Sequence, residues 1–141
     1  MCIRDSQQAL GRAIAIARRE KDVGLEMQTL AYAADVSGNH LRWQESVDNG
    51  LRAIQLATDN ENAYSEVLPR WWTIVGSQHL GNLELALAHA LPLRALAERR
   101  STPLLLASIG NVPLVSLPWL LGDWQEAVSY THLTLPTKRI V

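Results

Sequence analysis

Apolar residues recur along this chain at helical spacing. Residues 6–20 carry Leu10, Ala13, Ile14 and Ala17, an i, i+3, i+4, i+7 stripe that predicts an amphipathic helix. Arg18 and Arg19 fall in its last turn, where cations suit the helix dipole. Lys21-Asp22 reads as a turn, with Asp22 placed to cap the next helix. Leu25, Leu30, Tyr32, Ala33 and Val36 predict that second helix, and Ser37-Gly38-Asn39 its end. A third helix is expected over residues 41–58 on Trp43, Val47, Leu51, Ile54 and Leu56. Gly50 inside it costs about 1 kcal/mol against Ala, a cost that close helix approach offsets. Asp59-Asn60-Glu61-Asn62 is polar and turn-like.

A fourth helix is expected over residues 63–78, with Val67, Leu68, Trp71, Trp72, Ile74 and Val75 as its apolar set. Pro69 lies inside that span, so the helix either restarts there or bends. Residues 82–100 predict a fifth helix on Leu83, Leu87, Leu91, Leu96 and Ala97, with Pro92 as a second internal proline. Ser101-Thr102-Pro103 is a hydroxyl cap followed by proline at the first helical position. One bent helix or two short ones should follow to Leu121, then a Gly122-Asp123 turn and a seventh helix from Trp124.

The pattern repeats. Trp43, Leu83 and Trp124 are 40 and 41 residues apart, and each is followed three positions later by a small residue: Ser46, Ala86, Ala127. Ser6 shares that phase, and so in turn do Leu10, Gly50 and Ala90, then Ala13, Ala53 and Leu93, then Ala17, Ala57 and Ala97. Small residues at one phase imply helices that approach closely at the same place in each unit, with stacked neighbours sharing a core that no single hairpin could bury. The expected fold is all-α: a right-handed helical-hairpin solenoid of about three repeats of roughly 40 residues.

Leu80, Gly81, Asn82, Leu83, Ala86 and Ala90 resemble the tetratricopeptide repeat, as do Leu121, Gly122, Asp123, Trp124 and Ala127. Leu41-Arg-Trp43 departs from it, and the period exceeds the usual 34 or so residues. Longer, degenerate units of this kind resemble the helical region of large bacterial signalling ATPases. These include LuxR-type transcriptional regulators and ATPase-linked class III nucleotide cyclases. The resemblance covers residues 7–127. It implies a cytoplasmic, non-catalytic segment without cofactor that senses a signal and relays it to adjoining effector domains. A protein partner or small-molecule effector would bind its concave face, with no direct contact to nucleic acid or membrane. The alternatives are an accessory helical region of a nucleotide cyclase and a free-standing scaffold module. No Walker, helix-turn-helix or cyclase motif occurs in these residues.

Composition narrows the picture only a little. Of 141 residues 48% are hydrophobic and 19% charged, enough to bury a core, and the net charge of −1 gives no basic stripe for nucleic acid. Cys2 is the single cysteine, which rules out an internal disulfide. The two ends look foreign. Met-Cys-Ile-Arg-Asp-Ser6 resembles a translated transposase adapter, and residues 128–141 resemble the opposite strand of the same oligonucleotide. Residues 1–6 and 128–141 are therefore set apart from residues 7–127, which would be an internal piece of a longer protein.

Candidate chemistry is sparse. His40, His79 and His89 have no His or Cys at i+4 and do not suggest a metal site. Glu45 and Glu126 occupy equivalent repeat positions, which keeps them apart in a solenoid. Ser6, Ser37 and Ser46 lack the context of a nucleophile elbow. Residues 101–122 are uncharged and long enough for a bilayer, but three prolines and their place in the repeat favour a buried, bent helix. No catalytic, cofactor or metal residue is assigned. Arg70-Trp71-Trp72 is the most pointed feature. Adjacent tryptophans on a helix diverge by about 100°. Either both pack between helices, or Trp72 or Arg70 faces a groove with Tyr32 nearby, where aromatic and Arg side chains make good anchors.

Overall fold

The structure, a computed structural model, describes residues 3–100, 115–125, 127 and 128. Every regular element among them is an α-helix: α1 (Ile3–Arg19), α2 (Val23–Asn39), α3 (Trp43–Asp59), α4 (Val67–His79), α5 (Leu83–Arg100) and α6 (Val115–Leu120). Helical conformation resumes at Trp124. Helices consecutive in sequence pack on one another, and α2 packs on α4 as well as on α3. No helix among the described residues is long and apolar enough to cross a membrane. Most of the uncharged stretch at 101–122, the predicted helix start at Ser101, and the tail from residue 129 lie outside the described residues, whereas residues 3–6 form the first turn of α1.

The turns share one construction. Lys21, Leu41, Glu61, Gly81 and Gly122 all have positive φ, between 53° and 80°. The residue after each donates its backbone N–H five residues back: Asp22 to Ala17, Arg42 to Ser37, Asn62 to Ala57, Asn82 to Ser77 and Asp123 to Pro118, at 2.8–2.9 Å. That is the Schellman closure, in which a left-handed residue lets orphan carbonyls find donors. The residue after the left-handed one then opens the next segment. Asp22 accepts from Leu25 N at 2.9 Å, Asn62 from Ser65 N at 3.3 Å and Asn82 from Leu85 N at 3.1 Å. Arg42 has no side chain able to do this, and α3 begins uncapped.

From α3 onward the small residues of the shared phase are deeply buried: Ser46, Ala86 and Ala57 are at 0%, as is Ala17 of α1, with Ala53 at 1%, Ala127 at 2% and Ala90 at 3%. Ser6, Leu10 and Ala13 of α1 are half-buried. Large side chains share this core, Leu30, Ile74 and Leu93 among them, whereas Leu25, Leu87 and Leu91, expected on the core side, are 39%, 39% and 58% exposed. At Gly50 an added Cβ would run into Thr73 Oγ1 and sit 3.0 Å from the Pro69 carbonyl oxygen; at Gly76 it would meet Val47 Cγ2 at 2.8 Å. Helices α3 and α4 thus contact backbone to side chain in both directions. Gly38 of α2 similarly leaves the room that the Trp72 indole fills.

Polar groups span the same junctions. Ser46 Oγ donates to the Ala34 carbonyl at 2.8 Å, joining α3 to α2. Glu26 on α2 accepts from Arg18 of α1 at 2.7 Å and from Arg52 of α3 at 3.3 Å. The Trp43 and His79 rings stack at 4.0 Å and 4° between the start of α3 and the end of α4.

Two stability outcomes follow from this packing. Gly50→Ala gains about 1 kcal/mol of helix propensity but drives a methyl into Thr73, and overpacking costs about 1–3 kcal/mol; chemical denaturation should show net destabilisation. Leu41 is 70% exposed, so Leu41→Gly loses no packing. It removes a left-handed strain of about 1–2 kcal/mol against an entropic cost of about 0.5–1 kcal/mol, and Tm should rise; Gly81→Ala should lower it.

Candidate binding pocket

The α3–α4 connection breaks the regular spacing. After Lys21, Leu41, Gly81 and Gly122 helix resumes two residues on, but after Glu61 it resumes only at Val67. The chain turns tightly through residues 62–67, with Ser65 N donating to Asn62 O at 3.0 Å and Val67 N to Tyr64 O at 3.3 Å. Helix α4, expected over residues 63–78 with a restart or bend at Pro69, instead begins at Val67, which leaves Pro69 in its first turn, where the missing amide hydrogen costs no helical bond. Proline alone does not impose this start, since α5 continues through Pro92.

The unwound turn faces α2 across a pocket of about 300 Å³. Met27, Gln28, Ala31 and Tyr32 line it from α2, and Tyr64, Ser65, Val67 and Leu68 from the turn and the start of α4. Tyr32 and Tyr64 are 57% and 65% exposed at its walls, whereas Met27 is 6% exposed. No lining residue carries a charge.

The three residues singled out from sequence separate. Tyr32 lines the pocket. Trp72 does not: it is 7% exposed and packs with Ala34 and Val75 over Gly38, its ring edge-on to Trp71 at 4.6 Å. Trp72 is thus a core residue and not a contact of this pocket, its ring occupying the space that the absent side chain of Gly38 leaves. Arg70 also stands apart from the pocket, in a network of its own. Its Nη2 pairs with Glu66 Oε2 at 2.6 Å and its Nη1 lies 2.9 Å from His89 Nδ1 on α5. Thr58 on α3 donates to Glu66 Oε1 at 3.0 Å. Met27, Gln28, Tyr64 and Ser65 were not singled out in the sequence.

Arg70 can only donate, so His89 Nδ1 accepts and the hydrogen of the neutral ring sits on Nε2. Burial first, and then the Arg70 guanidinium, lower the His89 pKa from 6.5, with Glu66 opposing. The other two described histidines are dispersed: His79 stacks on Trp43, and His40 closes the end of α2. Among the described residues no group of three or more His, Cys, Asp or Glu could hold a metal ion. Compared with models of known protein families, with curated proteins and with solved structures, the chain matches none.

The lowered His89 value has a definite sign. The unfolded chain takes up this proton more readily, so the contribution of a neutral His89 to stability is complete above about pH 6.5 and is lost as pH falls through the folded value. Tm measured from pH 7.5 to 5 should fall less steeply for His89→Gln, which keeps an acceptor for Arg70, than for the unaltered chain.

Proposed function

We propose that residues 7–127 form a binding and signal-receiving segment of helical-hairpin repeats within a larger bacterial regulator of the LuxR type. The segment carries no chemistry of its own. An effector or partner engages the face where α2 and α4 lie side by side and passes the signal along the stacked helices to adjoining domains. The observation that carries this reading is the pocket at the unwound start of α4, bounded by exposed tyrosines and set between two helices of the array. Concave, largely apolar sites with a few polar groups are where proteins take ligands. The common construction of the turns and the burial of Ser46, Ala86 and Ala127 at one phase support a repeat with a period near 40. Leu80, Gly81, Asn82 and Ala86, with their resemblance to tetratricopeptide units, support the same view. The reading as an accessory region of a cyclase places the same pocket beside a different effector domain.

Ligand-induced stabilisation tests the proposal. At a ligand concentration of about 100 Kd, binding to the folded state alone adds about 2.7 kcal/mol. A thermal-shift screen with metabolites and short peptides should raise Tm of the native chain and leave a Tyr32→Ala, Tyr64→Ala variant of equal basal Tm unmoved. Hits that shift both proteins alike would place binding elsewhere and overturn the pocket as the receiving site.

A further inference from the structure

Charged residues next to the lining residues in sequence are engaged elsewhere. On α2, Glu26 precedes the lining residue Met27 but is held by Arg18 and Arg52. At the start of α4, Glu66 and Arg70 interleave with the lining residues Ser65, Val67 and Leu68, yet they pair with each other and with Thr58 and His89. What faces the pocket is a thioether, aliphatic side chains, two phenol rings, one amide and one hydroxyl.

Resting on the binding reading above, we infer that this pocket takes a neutral, flat, ring-bearing small molecule. Three features converge on that class. First, no counter-charge lines the pocket, so an anionic or cationic ligand gains no ion pair there in exchange for the water that it gives up. Phosphorylated and zwitterionic metabolites are thereby disfavoured. Second, a volume of about 300 Å³ is at the lower end for ligand sites and suits one or two fused rings rather than a chain. Third, Tyr32 and Tyr64 bring aromatic rings, and Met27 brings a polarizable sulfur, both of which favour aromatic partners. Gln28 and Ser65 offer a neutral donor and acceptor at the same wall, enough to orient one ring heteroatom.

Indole and indole-3-acetate are suitable probes, since they share a ring and differ by a full charge. Met27 is one of only two methionines in the chain, so its methyl group gives an easily assigned reporter in a ¹³C-methyl spectrum. Indole should shift the Met27 resonance with saturation, and indole-3-acetate should bind at least about tenfold more weakly. Tyr32→Ala, at an exposed position, should weaken indole about tenfold while Tm is kept. Gln28→Lys places a cation at the wall and should reverse the preference towards indole-3-acetate. Equal or tighter binding of indole-3-acetate to the native chain would overturn the neutral-ligand assignment while leaving the binding reading intact. An unmoved Met27 signal with both probes would overturn the assignment as well. Indole binding that Tyr32→Ala leaves unchanged would show that the ring is held elsewhere.

Discussion

The close approach of α3 to its neighbours is the constraint on which the rest depends. Helix backbones come together only where side chains are nearly absent, and α3 presents Ser46, Gly50, Ala53 and Ala57 along one buried face. Against it α4 sets Thr73 and the Pro69 carbonyl at Gly50, and answers with Gly76 beneath Val47. Two buried hydroxyls at these contacts find protein acceptors, Ser46 donating to Ala34 O and Thr73 to Pro69 O, each at 2.8 Å, whereas the buried Ser77 hydroxyl of α4 has no hydrogen-bond partner. The same closeness decides which large residues are core. Trp72 is buried because Gly38 yields space to its ring, whereas Leu87 and Leu91 have no such slot and stay exposed.

This explains how far the sequence could be read. Helix positions were legible because caps and stops are local chemistry: Asp22 caps α2 as expected, and Gly81 and Gly122 turn where a left-handed residue is required. The phase of the small residues was also legible from α3 onward. The hydrophobic pattern was right at Leu30, Val47, Ile54, Ile74 and Leu96 and misplaced Leu25, Leu87 and Leu91. Leu25 and Tyr32 fit the α2 stripe, yet the buried set there includes Glu26, Thr29 and Ser37. The Glu26 carboxylate is tolerated inside because two guanidiniums from different helices reach it.

The candidate site was harder to read. Arg70 and Trp72 attracted notice by composition, as an Arg beside two tryptophans. Tyr32 alone proved to line the pocket, for a reason that hydrophobic periodicity misassigned: it was placed in the apolar stripe of α2 and is instead exposed. The defining feature was the stretch from Asn62 to Glu66. Asn62 is a good cap for a helix beginning at residue 63, yet the helix begins only at Val67, and the turn between them becomes a wall of the pocket.

Packing and specificity are linked through the same short segment. Had the first turn of α4 been helical, the side chains of residues 63–66 would follow the helix surface and Tyr64 would not stand in the turn opposite Tyr32. The charges beside this turn in sequence are engaged elsewhere. Glu66 lies at the very start of α4, one turn before Arg70 and within reach of Thr58, and this largely buried pair joins α3, α4 and α5. None of these charged side chains lines the pocket. A substitution that frees either Glu66 or Arg70 would act twice, by exposing a buried partner and by lending the pocket a charge it now lacks.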